Sequence, residues 1–401
     1  AIDLAEKGFI LSKFQAEYFN SNRDKFSKNP ETKKVFVKEN LWKKGDLFFQ
    51  KDLAKTLKRI SKFGRDEFYS GETAKKIINY FQKNGGIFTE KDFMIYQSSF
   101  KPSLCSTFFD FKVCSMSLPS SGGIVLSQAL NILENFNLTS YEHNSLEYNR
   151  LLTEAMRFSF ADRSEFLGDA DFNNFDINRL TSKKYAKSLS TIIKKSESKI
   201  LINTPGEYLN ESEETTHFSI IDSTGNAVSN TYTLNTAYGS GIIAKGTGIL
   251  MNNEMDDFSI KPGFPNFFGL VGSEANKVES KKAPLSSMTP TIVFQKGVPY
   301  LITGSPGGST IISTVLQLLL NILIFDMEID EASKAKRIHH QWKPDILFIE
   351  KDKNIKNINT IGFDTVYRER IGESHSILLN KENYEGFADL RRPDGRAISV
   401  H

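Results

Sequence analysis

The stretch ETTHFSIIDSTGNAVSNTYTL (214–234) decides how this chain is read. Two β-type runs, TTHFSIID (215–222) and AVSNTYTL (227–234), are joined through STGNA (223–227). An Asn- and Gly-bearing turn between such runs predicts a β-hairpin. Upstream, ILINTPGEYLNESEE (200–214) is polar and acidic and predicts an exposed loop or linker. A strand therefore begins where an acidic loop ends, and it begins with Thr215. A threonine hydroxyl is a poor nucleophile unless a base stands beside it. Cleavage of the Glu214–Thr215 bond would make the α-amine of Thr215 that base. Taken alone, β-propensity favours an ordinary strand residue at Thr215.

The composition around this stretch is that of a globular protein. Of 401 residues, 39% are apolar and 25% charged, which excludes a disordered polyampholyte. Lysine and arginine total 51 against 48 acidic residues, so a net charge of +3 gives no footprint for nucleic acid. Two cysteines exclude a disulfide scaffold and a multi-cysteine zinc site. Cys105 and Cys114 flank STFFDFKV, a tight two-strand unit. There they either face each other and oxidise or remain two thiols. The most apolar run, 311–325, is broken by Ser313, Thr314, Gln317 and Asn321 and is too short to span a membrane. It predicts a buried core helix. The first residues, AIDLAEKGFI, show no secretory signal pattern. They predict an amphipathic helix with Ile2, Leu4, Ala5 and Phe9 on related faces, at the start of a domain or of a fragment.

Residues 1–98 predict short helices. Leu53, Leu57 and Ile60 form one stripe, and Ile77, Ile78, Tyr80 and Phe81 another that stops at Asn84-Gly85-Gly86. Residues 99–116 turn β-like, LPSSGG (118–123) is a turn, and helices follow over 123–136, 145–168 and 182–196. Beyond the hairpin, glycines crowd 239–272, strands are expected at 291–295 and 300–303, and a helix at 309–326. Strands between helical segments predict sheets covered by helices.

Several motifs invite chemistry. GSPGGST (304–310) enters a helix but lacks the lysine of a phosphate loop. It suits an anion or oxyanion, and equally a plain strand-to-helix turn. HHQW (339–342) carries adjacent histidines that do not point easily at one ion, and His143 and His217 lie far away in sequence, so structural histidines are favoured over a metal site. No G-x-S-x-G elbow supports a Ser-His-Asp triad.

Taken together, TTHFSIID (215–222), YTLNTAYGSGI (232–242), GILMNNEMDDFS (248–259), PLSSMTPTIV (284–293) and GSPGGS (304–309) resemble the γ-glutamyltransferase (γ-glutamyltranspeptidase) family of N-terminal-nucleophile hydrolases. LPSSGG (118–123), LNILENF (130–136), EAMRFSFADRSEFLGD (154–169) and RIHHQW (337–342) extend the resemblance over essentially the whole chain.

The resemblance implies an α+β fold, a four-layer αββα sandwich. It implies a precursor that cuts itself into residues 1–214 and 215–401, a heterodimer with Thr215 as the new N-terminal nucleophile. Thr233 would orient Thr215, and Gly307 and Gly308 would supply oxyanion N–H groups. Asn235, Glu254 and Asp257 would take the substrate α-amino group, and Ser286 and Ser287 its α-carboxylate. Without the resemblance, the two serines read as a turn and Asp256-Asp257 as a solvated pair. The substrates implied are glutathione or other γ-glutamyl amides, with water, amino acids or dipeptides as acceptors. No metal, organic cofactor or membrane span is implied, and the location suggested is periplasmic or extracellular.

Two departures from the family pattern stand out. The family's chain normally begins upstream of Ala1 and carries there an arginine for the α-carboxylate, for which the sequence offers no replacement. On the resemblance, the chain is expected to be a fragment, an uncleaved inactive remnant, or a part that needs a separate N-terminal chain. A related amidase, acting on poly-γ-glutamate or a β-lactam side chain, is the other enzymatic reading. The second departure is in PGFPNFFGLVG (262–272), the covering loop, where Phe268 stands at the position of a tyrosine found in some members. Lacking that hydroxyl, the lid is expected to close more loosely.

Overall fold

The acidic stretch before Thr215 lies outside the residues described by this computed structural model, which are 1–196, 215–351 and 362–400. The chain divides into two units, Ala1–Phe100 with Thr236–Asn253, and Lys101–Asn235 with Glu254–His401. The expected 214/215 boundary concerns cleavage, and it falls inside the second unit.

The first unit is built of short helices: α1 (Ile2–Lys7), α2 (Lys13–Ser21), α3 (Arg23–Ser27), α4 (Pro30–Phe36), α5 (Lys51–Phe63), α6 (Arg65–Tyr69), α7 (Glu72–Lys83) and α8 (Glu90–Ile95). Strands β1 (Phe9–Ile10) and β2 (Leu47–Phe48) pair antiparallel. Its core is aromatic, with Phe19, Phe26, Phe36 and Phe48 packed on Leu11 and Ile243. The glycine-rich stretch 236–253 is held by side chains of this unit. Lys25 Nζ donates to the carbonyls of Ala237 (2.6 Å) and Gly239 (2.8 Å), and Thr32 and Thr56 hydroxyls donate to those of Gly241 and Thr247.

One expectation fails here. The first helix stops at Lys7 because Gly8 turns the chain at φ 86°, so Phe9 lies in β1, and Leu4 is exposed. The stripe of Leu53, Leu57 and Ile60 does fall on one helix, α5, where these residues are half-buried beside the buried Ala54 and Thr56. The second stripe is sound at Ile77 and Ile78, and Gly86 N caps the carbonyl of Phe81 at 2.7 Å.

In the second unit, β3 (Leu104–Phe108) and β4 (Phe111–Ser115) precede α9 (Gly122–Leu133), α10 (Leu146–Phe166), α11 (Ile177–Leu180) and α12 (Lys183–Lys194). The predicted hairpin forms β5 (Thr216–Ile221) and β6 (Ala227–Tyr232). Then come β7 (Thr291–Gln295), β8 (Val298–Thr303), α13 (Thr310–Leu323), α14 (Ile329–Lys334), β9 (Ile338–His339), β10 (Ile346–Glu350), β11 (Asp364–Arg368), β12 (His375–Asn380) and β13 (Asn383–Ala388). The main sheet runs β13-β12-β8-β7-β4-β3, all antiparallel, and a smaller one runs β11-β10-β9. Cys105 and Cys114 are directly paired across β3 and β4 and form a disulfide.

Helices α9, α10, α12 and α13 share one apolar core with the main sheet. The apolar run of α13 is buried almost throughout, as expected of a core helix. No helix among the described residues is long and apolar enough to cross a membrane. The β5–β6 hairpin lies on the main sheet as a second β layer, tied by hydroxyls. Ser229 Oγ donates to Thr303 O and accepts from Thr291 N, and Ser219 Oγ donates to His375 O. Helix, sheet and second sheet thus follow in the order of an αββα sandwich.

Candidate active site

The hairpin is set by its turn. The Asp222 carboxylate accepts from Thr224 N and Asn226 N, and hydrogen bonds from Asn226 and Thr224 hold its pKa down at about 2. Gly225, at φ 86°, completes the turn. The last ladder pair at the other end is Thr216 with Tyr232, so Thr215 and Thr233 come opposite each other just beyond it. Their hydroxyls are 3.5 Å apart. Thr233 Oγ also accepts from Asn235 N at 2.8 Å, bending the chain so that Asn235 sits buried at φ 75°.

His217, two residues along the same strand face, is buried between Thr231 Oγ (2.8 Å from Nδ1) and Ser219 Oγ (3.1 Å from Nε2). Burial, with His375 nearby, pushes its pKa down to about 3, so the ring is neutral and structural. A Cβ at Gly304 would meet that ring at 2.2 Å, which is why the GSPGGST turn opens on glycine.

A second wall is made where LPSSGG meets LSSM. Ser286 N donates to Pro119 O, and Ser121 donates to Ser286 O through both its N–H (2.8 Å) and its hydroxyl (2.7 Å). Ser120 Oγ donates to Met288 O at 2.6 Å. The segments approach so closely that a Cβ at Gly122 would lie 2.3 Å from Met288 O. Behind them stands Arg163 of α10, only 4% exposed. Its Nε donates to Ser121 Oγ at 2.8 Å and its Nη2 to Ser287 Oγ at 3.2 Å. Burial pushes its pKa down to about 10, opposed by the charge of Asp257, so it remains a cation at neutral pH. Sequence reasoning missed Arg163 and Ser121. The available signal was an arginine on the apolar face of a helix.

The third wall is the 3-10 turn Glu254–Asp257. Burial raises the pKa of Glu254 to about 7 and that of Asp257 to about 8, and Asp257 is raised further by Glu254. Contact between the two carboxyls favours the ionised form of Glu254 and the protonated form of Asp257. Asp256 points elsewhere and accepts from Phe267 N at 2.9 Å, so Asp256-Asp257 is not a solvated pair. The covering loop is further pinned by Asn266 Oδ1, which accepts from Phe268 N and Leu270 N, and by Gln341 Nε2, which donates to Phe268 O.

The fourth wall is the turn before α13. Gly307 and Gly308 have φ 132° and 54°, a region that favours glycine. Neither amide finds an acceptor among the described residues. The Phe268 ring lies over Gly308, where a Cβ would be 2.5 Å away.

Thr215, Thr233, Asn235, Asp257, Phe268, Ser286, Ser287 and Gly308 line one cavity of about 20 Å³ with Met288 and Ile311. Of the residues predicted from sequence, Glu254 and Gly307 are outside this lining, adjoining it through Asp257 and Gly308. Glu214 lies outside the described residues. The histidines of RIHHQW are buried elsewhere, with His339 Nδ1 on Ser313 Oγ and His340 Nε2 3.2 Å from Asp345. A larger cavity of about 740 Å³, bordered by His143 and Lys334, contains none of these residues.

A nucleophile-type hydroxyl, an amide pair, a half-buried acid pair and a serine pair gathered at one small cavity offer partners for a zwitterionic head group and an acyl carbonyl. The Gamma-glutamyltranspeptidase family model matches residues 1–399. A glutathione hydrolase proenzyme of Escherichia coli strain K12 is 43% identical over 98% of this chain and 69% of its own length. Another of Pseudomonas aeruginosa is 42% identical over 86% of this chain and 61% of its own length. The crystal structure of cephalosporin acylase from Bacillus halodurans superposes with a TM-score of 0.85 at 21% identity, over 97% of this chain and 71% of that one, and shares the N-terminal-nucleophile hydrolase fold. The chain thus spans between three-fifths and seven-tenths of the curated relatives' length, and it belongs to the γ-glutamyltranspeptidase family.

Proposed function

We propose that this chain, like the glutathione hydrolase proenzymes it resembles, cleaves the Glu214–Thr215 bond and then transfers or hydrolyses γ-glutamyl groups. In the first step Thr215 Oγ attacks the Glu214 carbonyl. The acyl group moves from nitrogen to oxygen, and water releases a 215–401 piece with a free α-amine. In turnover that amine takes the hydroxyl proton while Thr215 Oγ attacks the γ-carbonyl of glutathione or a related amide.

The Gly307 and Gly308 amides receive the oxyanion, and the amine leaves with a proton. Water then gives glutamate, and an amino acid or dipeptide gives a new γ-glutamyl amide. Glu254, Asp257 and Asn235 take the donor's ammonium, and Ser286 and Ser287 its carboxylate.

The observation that carries this reading is the placement of Thr215 on one cavity with an acid pole at Asp257 and a hydroxyl pole at Ser286 and Ser287. Those poles favour a free α-amino acid head group over a poly-γ-glutamate backbone or a β-lactam side chain. Turnover of a γ-glutamyl anilide is the test. Thr215→Ala should abolish it and Thr215→Ser retain part. An active Thr215→Ala protein would overturn the assignment.

A further inference from the structure

Arg163 enters the site from behind and has no part in the steps above. It is a buried cation, and among the described residues it forms no ion pair with a carboxylate. Its side-chain hydrogen bonds go to two hydroxyls, Ser121 Oγ and Ser287 Oγ. A serine hydroxyl has one proton to give and two lone pairs to accept with.

Ser121 accepts from Arg163 and spends its own proton on Ser286 O. Ser287 accepts from Arg163, and Ser286 Oγ accepts from Met288 N at 3.1 Å. Neither the Ser286 nor the Ser287 hydroxyl proton has an acceptor among the described residues. Both oxygens are therefore occupied by donors from the protein side, which leaves both protons to be given to the cavity they line. Two hydroxyls with unspent protons and a buried guanidinium behind them are matched to an anion.

We propose that Arg163 is the positioning residue of the carboxylate pole. It donates to Ser287 Oγ directly and steadies Ser286 through Ser121, which favours donation into the cavity and sets a positive charge behind the serines, so the cavity selects ligands with a carboxylate beside their ammonium. This rests on the γ-glutamyl reading of the site. The sequence alone offers no arginine for this pole. The fold brings one, through two hydroxyls rather than by direct contact.

The test is binding of L-glutamate and of 4-aminobutyrate, the same molecule without its α-carboxylate, to the full chain by calorimetry. Anilide turnover is followed in parallel. The unaltered protein should prefer glutamate. Arg163→Gln should cut that preference about tenfold to a hundredfold, with 4-aminobutyrate binding changed by less than about twofold. Arg163→Lys should keep part of the preference, and it carries the test should Arg163→Gln not fold.

A merely structural arginine would weaken both ligands alike, and that result overturns the proposal. So does an unaltered protein that fails to distinguish the two ligands, or a preference unchanged in the variants. A protein that prefers glutamate but does not turn over the anilide contradicts the catalytic reading and leaves this inference standing.

Discussion

Thr215 and Thr233 face each other one step beyond the β5–β6 ladder, their hydroxyls 3.5 Å apart. The ladder fixes this geometry, since a slip of one residue would turn both side chains to the opposite face. Thr233→Val keeps the strand-compatible shape and removes the hydroxyl. It should slow self-cleavage and lower kcat by about a hundredfold, and it should cost about 1–3 kcal/mol of stability because the Asn235 N–H loses its acceptor. Cleavage time courses and steady-state kinetics on the same preparation check this.

The acid pair sets a pH dependence whose sign follows from its raised pKa values. Carboxyls raised by burial favour folding below their ordinary pKa and cease to do so as pH rises through the folded value. The ligand-free protein should therefore lose stability as pH climbs from about 4 through 7 and 8. An ammonium ligand needs the ionised pair, so glutamate should bind more tightly over the same rise. Melting curves at pH 6 and 8.5, with and without glutamate, should show ligand protection growing as intrinsic stability falls. Asp257→Asn should flatten both trends.

Phe268 lies over Gly308, and the cavity of about 20 Å³ has room for about one water. A γ-glutamyl group therefore needs the ring displaced. Phe268→Ala should cost about 3–5 kcal/mol of stability. It should also lower the donor KM and raise the share of hydrolysis over transfer, because water then reaches the acyl-enzyme. Denaturant titration and product ratios at fixed acceptor concentration measure the two effects.

Gly122→Ala tests the serine wall from a distance. The added Cβ would sit 2.3 Å from the Met288 carbonyl, so the LSSM segment must move. The expected result is a raised donor KM with a smaller change in the self-cleavage rate, read from kinetics and gel time courses.

Much of this site was legible because its determinants are local. The Asp222 turn predicts the hairpin, the hairpin sets Thr215 against Thr233, and the glycines before α13 announce a turn with unoccupied amides. What escaped notice depends on contacts distant in sequence. Arg163 joins Ser121 and Ser287 only after α10 packs beside the LPSSGG turn. The different tasks of Asp256 and Asp257 appear only when the covering loop returns to Phe267. In the first unit, the bond from Thr56 to the carbonyl of Thr247, 191 residues away, is likewise not readable from the periodicity of α5.

The central claim is that Thr215 becomes a chain terminus. The most direct measurement is the intact mass of the purified full chain, with N-terminal sequencing. The account predicts two pieces of 214 and 187 residues, the second beginning Thr-Thr-His-Phe, and a single uncut species for Thr215→Ala. An unaltered chain that stays at 401 residues while turning over a γ-glutamyl anilide would contradict it.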